Sequence, residues 1–522
     1  MNRLLSRANK RLGIGSAATL LAAAGFIGIF LGVLRTKLIN ANFVPFESDA
    51  YFAAFKIPDL VFFTLASGAL GVAFLPILSE RLQKNRQSAW EVATYVLNFL
   101  AIVSFAASIL IIIFARPIMQ LVAGDFTPDQ LDLSVSIMRI ISVNIFLFAI
   151  STVLTTVQQS TGRFFFMAIA PLFYNGSIIA AIYLFGDRFG IVGLSLGVAL
   201  GAILQLAVVS FGMIGLNFKY RPKIDFKNRS FREVLTILPA RSIDQGVDYI
   251  NGIVETRFAS RLAIGSVTNY ENALILHNAP IMLIGNAIST AAFPRLTDRL
   301  AQGRADLFRK EFVRVFTTMI WISIPVVIIS YFSRGYLARI IFARDNRDIA
   351  QIFGFLCIAI FFRILYTIVS RYFYAHKDTK TPLYVSLFTI TFNIFLAYNL
   401  SKQTAYGVVG LALAQSIVAF TEVAILLALI VKRDRLLFDA AFFANLTRII
   451  AVSGFTILSG FITVQLLPLT SSDQGITIIG KLIIIAMVVF GVHLLASYVF
   501  DLREARLVVN RLKRIILRPV KI

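Results

Sequence analysis

Apolar residues come along this chain in runs of about 20, separated by short polar segments; that is the length an α-helix needs to cross the hydrocarbon core of a bilayer. The first run is "IGSAATLLAAAGFIGIFLGVL" at 14–34. Fourteen such stretches can be placed, centred roughly on residues 23, 67, 102, 146, 175, 203, 246, 281, 321, 361, 391, 419, 456 and 488. The alternation of a β-barrel is absent from them, so the spans are expected to be helical. The seventh differs from the rest in carrying several charges. No long hydrophilic region interrupts the series, so no soluble catalytic domain is expected within it. The basic segment "MNRLLSRANKRLG" before the first run imitates a signal peptide, but that run is too long and lacks a small-x-small cleavage site, so it is expected to be retained.

The pattern also repeats. "AFLPILSERL" at 73–82 returns as "AAFPRLTDRL" at 291–300, with Pro76 matching Pro294 and Arg81 matching Arg299. "FGIVGLSL" at 189–196 returns as "YGVVGLAL" at 406–413, an almost equal offset. The first pair closes spans two and eight, and the second opens spans six and twelve. Spans one to six therefore correspond to spans seven to twelve. Because six is even, both copies enter the membrane from the same side, which makes a parallel repeat. The expected fold is an all-α polytopic membrane protein of about 14 transmembrane helices: an N-lobe at 1–218, a C-lobe at 219–436, and two further helices with a basic amphipathic tail at 437–522. Facing six-helix lobes can form a transporter with its site between them, although duplication can also simply enlarge a bundle. The echo itself reads as a helix-ending or kinking proline. Glu80, Arg81, Asp298 and Arg299 then become cytoplasmic-face charges or gate and latch candidates.

Composition agrees with the pattern. Of the 522 residues 58% are hydrophobic and 15% charged, too apolar for a water-soluble surface. A net charge of +23 would suit a nucleic-acid partner, but its distribution argues against one. About 32 of the Lys and Arg residues fall on the side of the N-terminus and about 12 on the opposite side, the asymmetry of cytoplasmic loops. Both termini are therefore expected in the cytoplasm. The tail "LREARLVVNRLKRIILRPVKI" groups Val508, Leu512, Ile515 and Ile516 on one helical face among arginines, which suits the anionic lipids of the inner leaflet. Cys357 is the single cysteine, and His277, His376 and His493 are scattered without metal-ligand spacing. No metal site is expected.

An ionised side chain at the bilayer centre costs at least about 2.5–3.5 kcal/mol, so charges inside spans normally face a polar interior. In span seven, "LPARSIDQGVDYINGIVETRFASRL", Arg241, Asp244, Asp248 and Glu255 share one helix face with Asn251 nearby. Arg241 and Asp244 can neutralise each other one turn apart. Asp244, Asp248 and Glu255 are the coupling-ion candidates. A second cluster, Arg35, Lys37, Asp49 and Lys56, brackets the end of span one and the start of span two. Such residues can be snorkelling anchors or, if they line a cavity, an electropositive pocket for phosphate. In the turn "RYFYAHKDTKTPLYVS", Asp378 and Thr381 precede Pro382, a pattern suited to starting the next helix. The outer segment "AGDFTPDQLDL" is acidic with no evident partner.

Taken together, "SDAYFAAFKIPDL", "GALGVAFLPILSERL", "ASRLAIGSVTNY" and "FYAHKDTKTP", in this order across nearly the whole chain, resemble the MurJ (MviN) family of lipid II flippases in the multidrug/oligosaccharidyl-lipid/polysaccharide exporter superfamily. The resemblance implies a transporter, not an enzyme. It would move an undecaprenyl-linked peptidoglycan precursor from the inner to the outer leaflet of the bacterial cytoplasmic membrane, as a monomer and without cofactor. Coupling to Na+, H+ or the membrane potential stays open. The diphosphate would meet Arg35, Lys37, Asp49 and Lys56, with Arg241, Arg257 and Arg261 of span seven; Glu255 stands where some relatives carry an acid placed for a coupling cation. The chain departs from the family pattern at Ile29, Phe62 and Ile275, which stand at usual charged positions. Flipping of another polyprenyl-linked glycan (O-antigen, teichoic acid or capsule) and export of small molecules are the alternatives. A membrane-embedded glycosyltransferase would be expected to carry catalytic residues on a sizeable outer loop, and a scaffold without transport would not need the polar face of span seven.

Overall fold

The computed structural model describes residues 9, 11, 13–67, 74–342, 346–402 and 404–506. Among these, every regular element is a helix. Eleven helical stretches are long and apolar enough to cross a membrane. Their large exposed side chains, such as Phe26, Phe30, Leu184, Phe395 and Val499, are apolar. That is the inverse of a water-facing surface and what lipid requires.

Two compact units divide the described chain at residues 268 and 269. The first begins with α1 (Ile14–Asn42) and α2 (Pro45–Phe62), which runs into a π-helical turn at Phe63–Ser67. It continues with α3 (Leu75–Lys84), α4 (Arg86–Ile113), the short α5 (Ala115–Ala123), α6 (Pro128–Ile141), α7 (Val143–Ser160), α8 (Phe165–Phe211) and α9 (Arg229–Ala259). Capping residues set several starts: Asn85 accepts from the amides of Gln87 and Ser88, and Asn228 from that of Phe231. Helix α8 is two helices joined at Gly190, whose φ of 56° and ψ of −146° no side-chain-bearing residue adopts without strain. One apolar core gathers Ile39, Tyr51, Met119, Met138, Ile178 and Leu194; another joins Phe74, Trp90, Val96, Leu216, Phe231 and Leu238. The charged α9 is one unbroken helix that packs on α2, the π turn, α4 and α5.

The division falls within the first turn of α10 (Ser266–Pro280), which continues in the second unit, enters a second π turn at Ile281–Asn286 and is followed by α11 (Ala287–Ala301). Then come α12 (Ala305–Phe332), the short α13 (Arg334–Ile341), α14 (Asn346–Ala375), α15 (Lys380–Leu400), α16 (Val408–Arg433), α17 (Ala440–Leu466) and α18 (Gly475–Val499). Helix α14 is its centre, packed against α11, α12, α13 and α16. The hairpin α17–α18 is held against α12 and α13 by a core of Ile328, Tyr336, Ile478, Ile485 and Val489. The Trp321 indole donates to Ser497 Oγ at 2.8 Å, and Arg339 donates to the carbonyls of Thr470 and Ser471.

Backbone conformation repeats along with sequence. The π turns begin at Phe63 and Ile281, 218 residues apart, and each leads toward an echo segment. Gly407, which precedes α16, has φ 55° and ψ −137°, nearly the values of Gly190. Short helices follow the long α4 and α12 at corresponding places. The tail with Val508, Leu512, Ile515 and Ile516 lies outside the described residues.

Candidate substrate and coupling site

Helix α2 starts at Pro45, and Glu47 folds back to accept from the Val44 amide at 3.2 Å. This start turns Asp49 inward, where it is 2% exposed. Its carboxylate accepts from the amide of Gly265 at 2.6 Å, the amide of Thr268 at 2.7 Å and the Thr268 hydroxyl at 2.6 Å. The first amides of a helix have no partner within it and favour a negative charge. Asp49 therefore caps the beginning of α10 from a distant part of the chain, and both its oxygens are engaged.

Two turns further along α2, the Lys56 ammonium lies 3.7 Å from the position a Cβ would take on Gly252 of α9. Next to it Asn251 donates to Glu255 at 2.9 Å, and Glu255 is 3% exposed. Phe63 of the π turn stacks on Tyr249 with ring centres 4.4 Å apart. The seam between α2 and α9 thus sets Lys56 against Gly252, one helical turn from Glu255. At the end of α9, Arg257 and Arg261 both reach Asp125, at 3.0 and 3.1 Å. The acidic segment "AGDFTPDQLDL" does have partners, 132 and 136 residues away in sequence.

Arg35 sits on the α1–α8 side of the same unit. Its Nη1 donates to Asn175 Oδ1 at 3.0 Å, and Asn175 is steadied by its own bond to the Pro171 carbonyl. The Arg35 Nε is buried with no hydrogen-bond partner among the described residues. Lys37, two positions on, is exposed and points to another side of α1. Arg241, Asp244 and Asp248 belong to α9, but their side chains lie outside the described residues.

The echo charges differ from one another. Glu80 is exposed and pairs with Lys84 at 2.6 Å, whereas Arg81 donates to the buried Ser230 Oγ at 2.8 Å and so ties α3 to the first turn of α9. On α11, Asp298 is exposed and Arg299 half-buried.

The second unit holds a charge pair on a buried carboxylate that the sequence reading passed over. Arg363 of α14 donates to Glu422 of α16 at 2.8 Å, and Ser386 of α15 donates to the other Glu422 oxygen at 2.8 Å. Gln415 lies 3.4 Å from the same guanidinium. A signal existed: each is a lone charge inside an apolar run, the criterion already applied to span seven. Asn175 was also missed, since a lone uncharged polar residue within a span is common and only its neighbours distinguish it.

Among the described residues no three His, Cys, Asp or Glu side chains converge as metal ligands would. His277 is set against the Leu356 carbonyl, His376 against the Tyr372 carbonyl and His493 against Thr456.

The family model described as "Lipid II flippase MurJ" matches residues 42–498. A probable lipid II flippase MurJ from Borreliella burgdorferi is 26% identical over 417 residues, covering 78% of this chain and 81% of the relative. One from Thermotoga maritima is 24% identical over 400 residues, covering 75% and 80%. Among solved structures, a lipid II flippase MurJ in an inward closed conformation superposes with a TM-score of 0.77 at 23% identity, covering 92% of this chain and 98% of the other. An inward-facing MATE-family multidrug-resistance transporter of the MOP superfamily gives 0.66 at 14% identity, covering 80% and 99%. These two structural likenesses carry the fold.

Proposed function

The chain belongs to the family of lipid II flippase MurJ, and we propose that it carries lipid II, an undecaprenyl-diphosphate-linked peptidoglycan precursor, from the inner to the outer leaflet of the bacterial cytoplasmic membrane. The task is transport: no bond is made or broken, so the protein needs reversible binding of a dianionic head rather than catalytic groups. One observation carries the assignment of the site. Arg35 presents a guanidinium anchored through one nitrogen to Asn175 while its buried Nε has no partner, leaving donor capacity for phosphate oxygens. Lys56 on α2 supplies a second cation, and Glu255, one turn along α9 from Gly252, is the candidate for holding a coupling Na+ or H+. The membrane potential is the alternative source of drive.

Fourteen crossings follow if the two halves of α8 are counted separately and α2–α3 and α9 are added to the apolar stretches. The recurrence of π turns and of the Gly190 and Gly407 conformations supports two parallel lobes, 1–218 and 219–436, with α17 and α18 appended. In this reading both termini are cytoplasmic, a single copy suffices, the inner face meets anionic lipids, and the lobes alternate access. Glu80, Arg81, Asp298 and Arg299 mark its cytoplasmic gate.

A second reading, flipping of a different polyprenyl-linked glycan, is favoured by Phe62, which packs against Phe63 and Phe148 at a usual arginine position. Complementation of cells depleted of their lipid II flippase decides between them. Rescue by the wild-type chain, lost in Arg35→Ala with Lys56→Ala, is expected. Failure of the well-expressed wild type would overturn the lipid II assignment, and full rescue by the double variant would overturn the site.

A further inference from the structure

The outer end of α9 carries an arrangement that packing alone does not demand. Asp125, in the turn between α5 and α6, gives one carboxylate oxygen, Oδ2, to two guanidiniums: Arg257 Nη1 at 3.0 Å and Arg261 Nε at 3.1 Å. Arg257 Nη1 also approaches the Gln120 carbonyl at 3.5 Å, near the C-terminal end of α5 where helix carbonyls lack internal partners. A Cβ on Gly124 would stand 2.3 Å from the Gln120 carbonyl and 2.5 Å from Arg257 Nη1, so glycine suits both the chain and the arginine here. Arg261 extends over the Phe258 ring, 5.4 Å from its centre. All three charged groups remain open to solvent, with side-chain exposures of 30% for Arg257, 43% for Arg261 and 41% for Asp125.

Two cations against one anion leave an excess positive charge. A guanidinium has five N–H donors in a planar fork, so one shared carboxylate oxygen leaves most of the two forks unused. The arrangement has the chemistry of a diphosphate site filled by a weaker internal anion. Its position fits as well: along α9 and just past its end the order is Gly252 beside Lys56, then Glu255, then Arg257 and Arg261.

We propose that Arg257 and Arg261 form a diphosphate-binding station at the outer end of α9, and that Asp125 is its built-in competitor, holding both arginines when the station is empty. The inference rests on the lipid-linked diphosphate reading above and adds to it a release point and the residue that resets it. A phosphate headgroup exchanges with Asp125 without any covalent step. Competition keeps binding at the station weak, which a carrier needs if cargo is to leave.

The test uses the full-length protein in lipid nanodiscs, titrated with inorganic pyrophosphate and, separately, with undecaprenyl diphosphate incorporated in the disc. Removing the competitor by Asp125→Asn is expected to tighten pyrophosphate binding about tenfold at low salt, with the gain shrinking as salt rises. Adding Arg257→Ala and Arg261→Ala to Asp125→Asn should abolish that gain. Thermal melting of each variant reports folding. A merely structural clasp makes the opposite forecast: Asp125→Asn melts lower and binds pyrophosphate no better, and that result overturns the station. A gain for pyrophosphate without one for undecaprenyl diphosphate overturns the lipid headgroup as its ligand. Complementation by the wild type tests the transport reading independently of these binding measurements.

Discussion

Asp49 and Thr268 lie 219 positions apart in sequence, yet one oxygen of the aspartate accepts both the backbone amide and the hydroxyl of the threonine, at 2.7 and 2.6 Å. The second oxygen takes the Gly265 amide. The corner that follows α9, from Gly265 to Thr268, is therefore held by one buried carboxylate on α2. Asp49→Ala leaves three buried donors without their acceptor and should cost roughly 3 kcal/mol, since bonds to charged groups are worth about 1.5–3 kcal/mol each and are not additive. Asp49→Asn keeps one acceptor oxygen and should lose less. Melting of the purified variants in detergent checks the order; an Asp49→Ala protein as stable as wild type would refute the corner's dependence on this residue.

The Arg363–Glu422 pair yields a double-mutant prediction. Arg363→Leu strands a buried carboxylate and should destabilise by about 3–5 kcal/mol, whereas the combined Arg363→Met and Glu422→Leu replacement should cost much less. Equal losses in the single and double variants, measured by the same melting assay, would contradict a coupled pair.

Asp378 makes stability depend on pH. Burial opposes its ionisation, but the amide and hydroxyl of Thr381 and the Arg433 guanidinium outweigh it and hold the carboxyl below its ordinary value of 3.8. A depressed folded value contributes stability above the unfolded value and loses it as pH falls through the folded one. Asparagine still caps, so wild type should exceed Asp378→Asn by only about 0.5 kcal/mol at neutral pH, the scale of a partly exposed ion pair. The difference should close below pH 3.8. A gap that stays constant down to that range would exclude the carboxylate as its source.

Gly190 and Gly407 share a backbone conformation at φ 56° and 55°, open to glycine and strained for other residues. Each alanine substitution should cost about 1–3 kcal/mol. Around neither glycine does the cost come from crowding, because a Cβ on Gly407 meets nothing within 4 Å and one on Gly190 comes no closer than 3.4 Å to Glu47. Alanine variants that melt like wild type would mean that the turns relax freely.

Much of the fold was legible because membrane helices are local objects: a run of about 20 apolar residues must satisfy its own backbone hydrogen bonds wherever it sits. The recurring glycine turns were legible for a related reason. Gly190 and Gly407 are required by the backbone itself, and a turn that only glycine makes leaves its mark at a constant spacing. The cap at Asp378 lies within four residues of the amide it serves, so it too could be read from the pattern.

The site was legible only as a set of charged residues placed where charge is costly. Sequence alone showed that Arg35, Lys56 and Glu255 needed polar surroundings, and it left Asp125 without a partner. Tertiary structure decided the pairings: Asp49 with the start of α10, Asp125 with Arg257 and Arg261, Arg363 with Glu422. The physical reason is range. Hydropathy acts through the sum over one helix and survives in one dimension, whereas a hydrogen bond or ion pair needs two groups within about 3–4 Å, and only packing brings helices more than a hundred residues apart into that distance.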